Sequence, residues 1–309
     1  MEAIQRVVPE LYIFGVHLPH NAKNKLVINV YEKKHLLPVN TNRMIIIQEW
    51  YGRNGNNIMQ LIHAIFYAQI YRHKQIQFPV HDLLTATTIQ NDWEDLVPEN
   101  ETVIKGQFFH IEKEFNLCLR EPYIKKKIFL QYIKPIFTLL PSNRYPATTN
   151  TLFIHIRSGD LFEPNPHSGY VQPPLCYYTN AIGKYENIVA VCEDDRNPCA
   201  SYLKHYPHVQ YESNDVRTDL SLLYGIKHFM MGLGIFSMLV YWMNEHLETL
   251  YIPRYVVEKQ MGLNPDLPLN WGPNIQVHII DLPGYIPCGS WVNSLEQRLF
   301  MIDYSIQKT

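Results

Sequence analysis

From residue 150 onward, short apolar runs alternate with segments of helical periodicity. The runs are TLFIHI, NIVAVC, HVQYES, HFMMG and TLYIP, which begin at residues 151, 187, 208, 228 and 249. Short apolar runs of this kind are typical of parallel strands that are covered on both faces. The helical segments between them supply the crossover connections that parallel strands require. The alternation therefore predicts an α/β fold with a doubly wound parallel sheet.

A strand–helix–strand unit is predicted in the first half of the chain as well. The run MIIIQEW at residues 44–50 indicates a buried strand, and the turn YGRNGNN follows it. Apolar residues then recur at three- and four-residue steps from Ile58 to Ile70, which predicts an amphipathic helix. QIQFP at 75–79 is the next predicted strand.

The length of 309 residues suits two domains of about 150 residues each. Residues 140–150 are rich in Pro, Ser, Asn and Thr, which is typical of a linker. We therefore predict an extension over 1–43, a first Rossmann-like domain over 44–147 and a second over 148–309. A helix is expected after Pro122, with the run Lys125–Lys127 on its solvated face, and a closing helix is expected after Trp291.

Composition and charge exclude several classes of function. Hydrophobic residues make up 46% of the chain and the formal net charge is −2, so neither disorder nor general nucleic-acid binding is expected. The most apolar stretch, residues 229–243, is shorter than the roughly 20 residues of a spanning helix, and we predict a buried strand–turn–helix there. The amino end lacks a signal pattern and the five cysteines form no CxxC pair. A cytoplasmic location, bacterial or viral, is therefore expected.

The stretch FIHIRSGDLF, residues 153–162, carries the strongest chemical signal. Residues two apart share a face of a strand, so His155 and Arg157 should point the same way at the carboxyl end of the strand. Arginine presents a charged planar fork that suits phosphate oxygens. Gly159 permits a tight turn, and Asp160 can accept backbone N–H bonds. The residues alone equally allow a half-buried strand that ends in an ordinary Asx turn.

Two motifs in this order resemble the fucosyltransferase superfamily that includes α-1,2-, α-1,6- and protein O-fucosyltransferases. His155, Arg157, Gly159 and Asp160 match its H-x-R-x-G-D motif. The turn YGRNGNN matches its G-R-x-G-N loop, with Gly52, Arg53, Gly55 and Asn56 in place. The resemblance covers residues 44–255 in pattern. It implies a GT-B fold, in which two Rossmann-like doubly wound domains face a cleft. It also implies an inverting glycosyltransferase whose donor is a nucleotide diphosphate sugar, with GDP-fucose as the leading candidate.

By the same resemblance, Arg157 would bind the donor diphosphate and His155 would contact the nucleotide or orient the arginine. Gly52, Arg53, Gly55 and Asn56 would approach the donor sugar and phosphate. The alternative for this loop is an ordinary glycine-rich turn capped by an asparagine.

GLGIFSMLVYW at 232–242 is similar to the third motif of the superfamily, S-x-G-T-F. Gly234 and Phe236 fit that motif, whereas Gly232 and Ile235 replace its two hydroxyl residues. Ser237 is a candidate to compensate. The departure leaves a different donor, such as UDP-xylose or another UDP-sugar, as the alternative. A non-catalytic nucleotide- or glycan-binding protein is the alternative outside the enzyme class.

Acidic residues follow the strand NIVAVC, where related enzymes place a contact to the base or ribose. Asp194 and Asp195 are the candidates, with helix capping as the alternative. Together with Glu193 they are weakly similar to the metal-binding D-x-D of another glycosyltransferase class. The H-x-R-x-G-D resemblance instead implies catalysis without a metal or other cofactor, since arginine supplies the positive charge.

The segment NPHSGYVQPPLCYY at 165–178 directly follows the arginine motif. Tyr170 and Gln172 are candidates to line the site of a glycan acceptor. His167 or Glu163 could act as general base for the acceptor hydroxyl. Loop packing is the alternative for each of them.

Overall fold

The chain divides between Phe137 and Thr138 into two units. The computed structural model describes residues 12–13, 16–17, 30–31, 44–71, 73–90, 103–111, 121–139, 142 and 150–306. Residues 140–141 and 143–149 of the predicted linker lie outside this set, as does most of the predicted extension over 1–43.

The first unit contains a five-stranded mixed sheet and a two-stranded antiparallel hairpin. The hairpin consists of β1 (Tyr12–Ile13) and β2 (Val16–His17). The sheet has the order β3-β7-β4-β5-β6 and consists of β3 (Val30–Tyr31), β4 (Met44–Ile47), β5 (Gln75–Gln77), β6 (Thr88–Gln90) and β7 (Val103–Gly106). The central β4 runs parallel to β5 and β7, and the edge strands β3 and β6 are antiparallel.

Helix α1 (Asn54–Tyr71) connects β4 to β5, as the sequence pattern predicts. Its residues 57–69 are all buried, so the helix is enclosed on all sides rather than on one apolar face. Buried polar side chains near its start are hydrogen bonded. Gln60 Nε2 donates to the carbonyl oxygens of Glu49 at 3.2 Å and Gln107 at 2.6 Å. These bonds fix the loop after β4 against the helix.

The predicted helix after Pro122 is present as α2 (Pro122–Ile128), followed by a π-helical turn over Phe129–Ile133 and a 3-10 turn over Lys134–Ile136. The prediction that the run Lys125–Lys127 lies on a solvated face is wrong. Lys125 and Lys126 are only 7% and 2% exposed. Long lysine stems can pack along apolar surface, and here they contribute to the buried side of the helix.

The second unit contains a six-stranded sheet in which every pair is parallel. Its strands are β8 (Thr151–Ile156), β9 (Asn187–Cys192), β10 (Val209–Glu212), β11 (His228–Met230), β12 (Thr249–Pro253) and β13 (Gln276–Ile280). The order is β10-β9-β8-β11-β12-β13. Counted from β8 this is 3-2-1-4-5-6, the strand order of dinucleotide-binding folds. The predicted α/β class with parallel sheets is confirmed.

The helices of the second unit lie between and after these strands. They are α3 (Leu175–Ile182), α4 (Pro198–Lys204), α5 (Val216–Leu222), α6 (Ile235–Met243) and the closing helix α7 (Leu295–Asp303). Asn197 caps α4 by accepting a 2.9 Å bond from Cys199 N. The apolar stretch 229–243 forms β11 and α6, which confirms the predicted strand–turn–helix. Throughout the described ranges, no helix is long and apolar enough to span a bilayer.

The strand order creates a topological switch point in the second unit. From β8, the chain adds β9 and β10 on one side, and later adds β11, β12 and β13 on the other. In such sheets, the crevice for a ligand lies outside the carboxyl ends of the two strands at the switch. The ends of β8 and β11 are therefore the place to look for a functional site.

Candidate functional site

The loops after β8 and β11 are packed directly against each other. A Cβ atom added to Gly232 would lie 3.1 Å from His155 Nδ1. One added to Gly234 would lie 3.1 Å from Arg157 Nη1. His155 and Arg157 thus face the same side, toward the loop that begins α6. The structure brings together the arginine motif and the segment 232–237 in one site.

His155 is an uncharged anchor at this site. It is 6% exposed, its ring lies 4.7 Å from that of Phe236, and its Nδ1 is 2.6 Å from Ser237 Oγ. Burial, and then the charge of Arg157, lowers the pKa of His155 to about 3. The ring is therefore neutral at physiological pH. The fully buried Ser237 hydroxyl is engaged with it, which gives Ser237 a positioning role toward His155.

Arg157 is the cation of the site. Its side chain is 18% exposed, and Nη2 donates to Asp160 Oδ1 at 2.9 Å. The guanidinium carbon lies 5.8 Å from the centre of the Tyr170 ring. The Nε atom is buried and has no hydrogen-bond partner among the described residues. A buried donor without an acceptor costs about 1–3 kcal/mol, so an anionic oxygen bound at Nε would recover that cost.

The backbone that carries Arg157 is held by the loop after β9. Asn197 Nδ2 donates to the Arg157 carbonyl at 2.8 Å, and Ser158 Oγ accepts from Asn197 N at 3.0 Å. The Ser158 hydroxyl itself donates to the Asp194 carboxylate. Gly159 has φ 62°, and a Cβ there would lie 2.6 Å from the Glu193 carboxylate. The left-handed φ therefore favours glycine in the turn after β8, and the hydrogen bonds from the loop after β9 hold this turn in place.

Asp194 and Asp195 are both engaged with protein groups. Asp194 also accepts from Arg196 N at 3.0 Å. Burial alone would raise the pKa of Asp194, but the hydrogen bonds from Ser158 and from the backbone outweigh it and lower that pKa. Asp195 accepts from Tyr211 Oη at 2.7 Å and pairs with Lys204 Nζ at 3.0 Å.

Neither aspartate caps the next helix, because Asn197 does so. Their predicted contact to a base or ribose stays a prediction. In the part of the chain that the structure describes, no group of three or more His, Cys, Asp or Glu residues is arranged to hold a metal ion.

One of the two positions that depart from the third motif, Gly232, has a physical explanation. A Cβ on Gly232 would lie 2.3 Å from the carbonyl oxygen of His155, so no side chain fits there. Ile235 is the first residue of α6, and Gly234 before it has φ 93° and ψ 172°, a conformation that is essentially restricted to glycine. The Gly234 N–H donates to Gln260 Oε1 at 3.2 Å.

The candidate bases and acceptor contacts lie on the segment after the arginine motif. Glu163 is paired with Arg196 and is 56% exposed. His167 is exposed, its ring lies 4.7 Å from that of Tyr170, and its Nδ1 accepts from Gly169 N at 3.1 Å. Gln172 is fully buried, and its Nε2 donates to the Tyr170 carbonyl at 3.3 Å. Burial shields Gln172 from an acceptor, whereas Tyr170 is half-buried beside Arg157.

The glycine-rich loop of the first unit lies between β4 and α1. Gly52 has φ 70°, and a Cβ there would lie 2.2 Å from Asn56 Nδ2. Gly55 and Asn56 belong to the first turn of α1 rather than to the loop. Arg53 is exposed. Asn57 Nδ2 donates to the Tyr51 carbonyl at 2.9 Å, which ties the loop to α1 but is not a helix cap, because a cap accepts from backbone N–H groups. Donor binding by this loop stays a prediction.

Several residues that shape the site were missed from sequence. Ser158, Arg196 and Asn197 fix the turn that carries Arg157, and Gln260 meets Gly234 from beyond β12. Ser158 occupies a variable position of H-x-R-x-G-D, and Gln260 lies in no motif. The one usable signal was Asn197 before Pro198, which indicates a helix cap but not its second bond to the Arg157 carbonyl.

No protein-family model matches the chain, and no curated protein matches it. A solved structure described as that of ADP-heptose LPS heptosyltransferase II of E. coli is similar to it. The two share 10% sequence identity with a TM-score of 0.36, over 83% of this chain and 96% of that one. A likeness at this level carries no information about the reaction of this chain.

Proposed function

We propose that this chain is an inverting glycosyltransferase that moves a sugar from a nucleotide diphosphate to a glycan hydroxyl. The observation that carries the proposal is the Arg157 guanidinium, which lies against Gly234 at the carboxyl ends of β8 and β11 with a buried, unpartnered Nε. A diphosphate is the ligand that fits a fixed cation at the switch point of a 3-2-1-4-5-6 sheet.

The electrostatics of the site favour a group that gains negative charge during the reaction. His155 stays neutral because its pKa is about 3, so Arg157 acts as the cation beside the diphosphate. Its partner Asp160 is 56% exposed and can turn to solvent when the diphosphate takes its place. Donors that are already oriented stabilise developing charge without reorganisation.

The proposed reaction is a single in-line displacement. The acceptor hydroxyl oxygen forms a bond to the anomeric carbon while the bond from that carbon to the β-phosphate oxygen breaks. The electron pair leaves with the nucleoside diphosphate, where Arg157 balances the extra charge. The hydroxyl proton passes to a general base, and the anomeric configuration inverts.

Of the two candidate bases, Glu163 is the better placed chemically. His167 Nδ1 already accepts from the Gly169 N–H, so this lone pair is not available to take a proton. Glu163 uses Oε1 toward Arg196, which leaves Oε2 to accept a proton. Loss of a general base costs about 10²–10⁴-fold in rate. We therefore expect Glu163→Gln to lower kcat by at least about 100-fold, and His167→Asn to change it little.

GDP-fucose is the first donor to test, because the H-x-R-x-G-D and G-R-x-G-N motifs point to it. UDP-xylose is the second, because Gly232 and Ile235 lack the hydroxyls of the third motif. Since Arg157 supplies the positive charge, we propose that no metal is needed. Donor turnover in excess EDTA equal to that in Mg²⁺ would agree with this, and loss of turnover in EDTA would contradict it.

Thermal shifts with GDP, UDP and their sugar conjugates identify the nucleotide. A ligand at 100 times its Kd stabilises the folded state by about 2.7 kcal/mol. We expect a shift with GDP or with UDP. No shift with any nucleoside diphosphate would overturn the proposal.

Slow donor hydrolysis then separates an enzyme from a binding protein. We expect turnover by the wild type, loss of at least about 100-fold in Arg157→Ala, and full turnover in the control Arg217→Ala, which removes an exposed arginine on α5. Binding without turnover, with or without a glycan acceptor, would favour the non-catalytic alternative.

A further inference from the structure

Gln260 contacts Gly234 in the candidate site. It ends the π-helical turn Val256–Gln260 that follows β12. Such turns are rare, and many occur at functional sites. Here the turn presents the Gln260 carboxamide to the start of α6, where Oε1 accepts from Gly234 N at 3.2 Å.

This hydrogen bond fixes which way the carboxamide faces. The Gly234 N–H needs an acceptor, so the oxygen of Gln260 must point to it and the nitrogen must point away. The Nε2 atom is buried and, within the part of the chain that the structure describes, has no hydrogen-bond partner. An amide nitrogen can only donate, and burial keeps water from satisfying it. The structure therefore holds a second oriented donor that lacks an acceptor.

The two unsatisfied donors belong to side chains that both contact Gly234. Arg157 lies against the Cα of Gly234 on one side, and Gln260 is bonded to its N–H. A ligand that satisfies both Arg157 Nε and Gln260 Nε2 must offer acceptor atoms. Two N–H groups repel a cation, and a phosphate oxygen suits them.

We propose that the Gln260 carboxamide donates a hydrogen bond to the diphosphate of the sugar donor and supplies the contact that hydroxyls at positions 232 and 235 would otherwise make. This inference rests on the proposed function and extends its binding site to a residue beyond β12. Gln260 is thus a diphosphate ligand as well as a support for Gly234.

Two substitutions separate the donor role from a merely structural role. Gln260→Glu keeps an oxygen for the Gly234 N–H and replaces the free NH₂ by a second oxygen of nearly equal size. Gln260→Leu removes both groups. Gln276→Glu is the matched control, because it makes the same charge change at an exposed position at the amino end of β13.

Binding of inorganic pyrophosphate and of GDP is measured by calorimetry on the full chain, with circular dichroism to verify folding. We expect Gln260→Glu to weaken both ligands at least tenfold, about 1.4 kcal/mol, while Gln276→Glu binds as the wild type does. If Gln260→Glu binds like the wild type and only Gln260→Leu is impaired, the inference is wrong and Gln260 merely supports Gly234.

Failure of the proposed function gives a different pattern. If the folded wild type binds neither pyrophosphate nor any nucleoside diphosphate, both the function and the inference fall together. If the wild type binds and Arg157→Ala does not, the function stands, and Gln260→Glu alone decides the inference. If Gln260→Leu does not fold, the binding measurements on Gln260→Glu still test the inference, because that variant retains the bond to Gly234.

Discussion

Restoring the serine of the third motif at Gly232 should damage the protein rather than improve it. A Cβ at this position would lie 2.3 Å from the carbonyl oxygen of His155, whereas real Cβ contacts essentially never fall below 3.0 Å. The obstacle is backbone of the adjacent strand β8, which cannot rotate away. The loop after β11 would therefore have to move from β8, with Arg157 and Gly234 next to it.

Overpacking of this kind costs about 1–3 kcal/mol. For a unit of this size, each kcal/mol lowers Tm by about 2–4 °C. We expect Gly232→Ser to lower Tm by several degrees in a thermal scan and to weaken GDP binding. Gly183→Ser is the matched control, because Gly183 is exposed and a Cβ there meets nothing within 4 Å. Equal stability of the two variants, with tighter nucleotide binding by Gly232→Ser, would refute the reasoning.

Three further variants test the polar contacts around Arg157. Ser237→Ala leaves the buried Nδ1 of His155 without a partner and should cost about 1–3 kcal/mol in urea unfolding; an unchanged midpoint would contradict that bond. The pKa of folded His155 is about 3, against an ordinary 6.5. The wild type should therefore lose stability as the pH falls from about 6.5 to about 3. When Tm is measured against pH, His155→Gln should lose less stability over the same range. Hydrogen bonds lower the pKa of Asp194 below 3.8, so its contribution is present above that pH and is lost below it; the destabilisation of Asp194→Asn should shrink in acid, and a pH-independent difference would count against it.

The strand and helix pattern of the second unit could be predicted because burial dominates it. β8, β9 and β12 are nearly continuous apolar runs, and proline or asparagine marks the starts of α3 and α4. Strand β13 was missed, since its side chains are only half-buried and its run follows a long irregular segment. In the first unit, the edge strand β3 pairs with β7, a segment far along the chain, and hydrophobic periodicity does not reveal such a pairing.

The site could be predicted only where a motif gives the residue. His155 and Arg157 share a face of β8, as the two-residue period requires. The environment of each was not predictable, because it is made by residues far along the chain. Ser237 contacts His155 across 82 positions, and Asn197 contacts Arg157 across 40.

Asp160 also illustrates this limit. The sequence predicts an Asx turn, in which the Asp160 carboxylate accepts hydrogen bonds from backbone N–H groups. In the structure the carboxylate accepts from Arg157 Nη2. Turn propensities do not take account of the Arg157 guanidinium, which lies three residues earlier and competes for the carboxylate. Gln260 went unnoticed for a similar reason, since its significance comes from the Gly234 N–H that it meets.

The most direct test of the central claim compares the binding of GDP and guanosine, or UDP and uridine, to the wild type and Arg157→Ala by calorimetry. If Arg157 binds the diphosphate, the wild type should prefer the diphosphate to the nucleoside by at least about tenfold, and Arg157→Ala should lose most of that preference while its affinity for the nucleoside stays the same. A wild type that binds both equally, or a variant that keeps the full preference, would contradict the account.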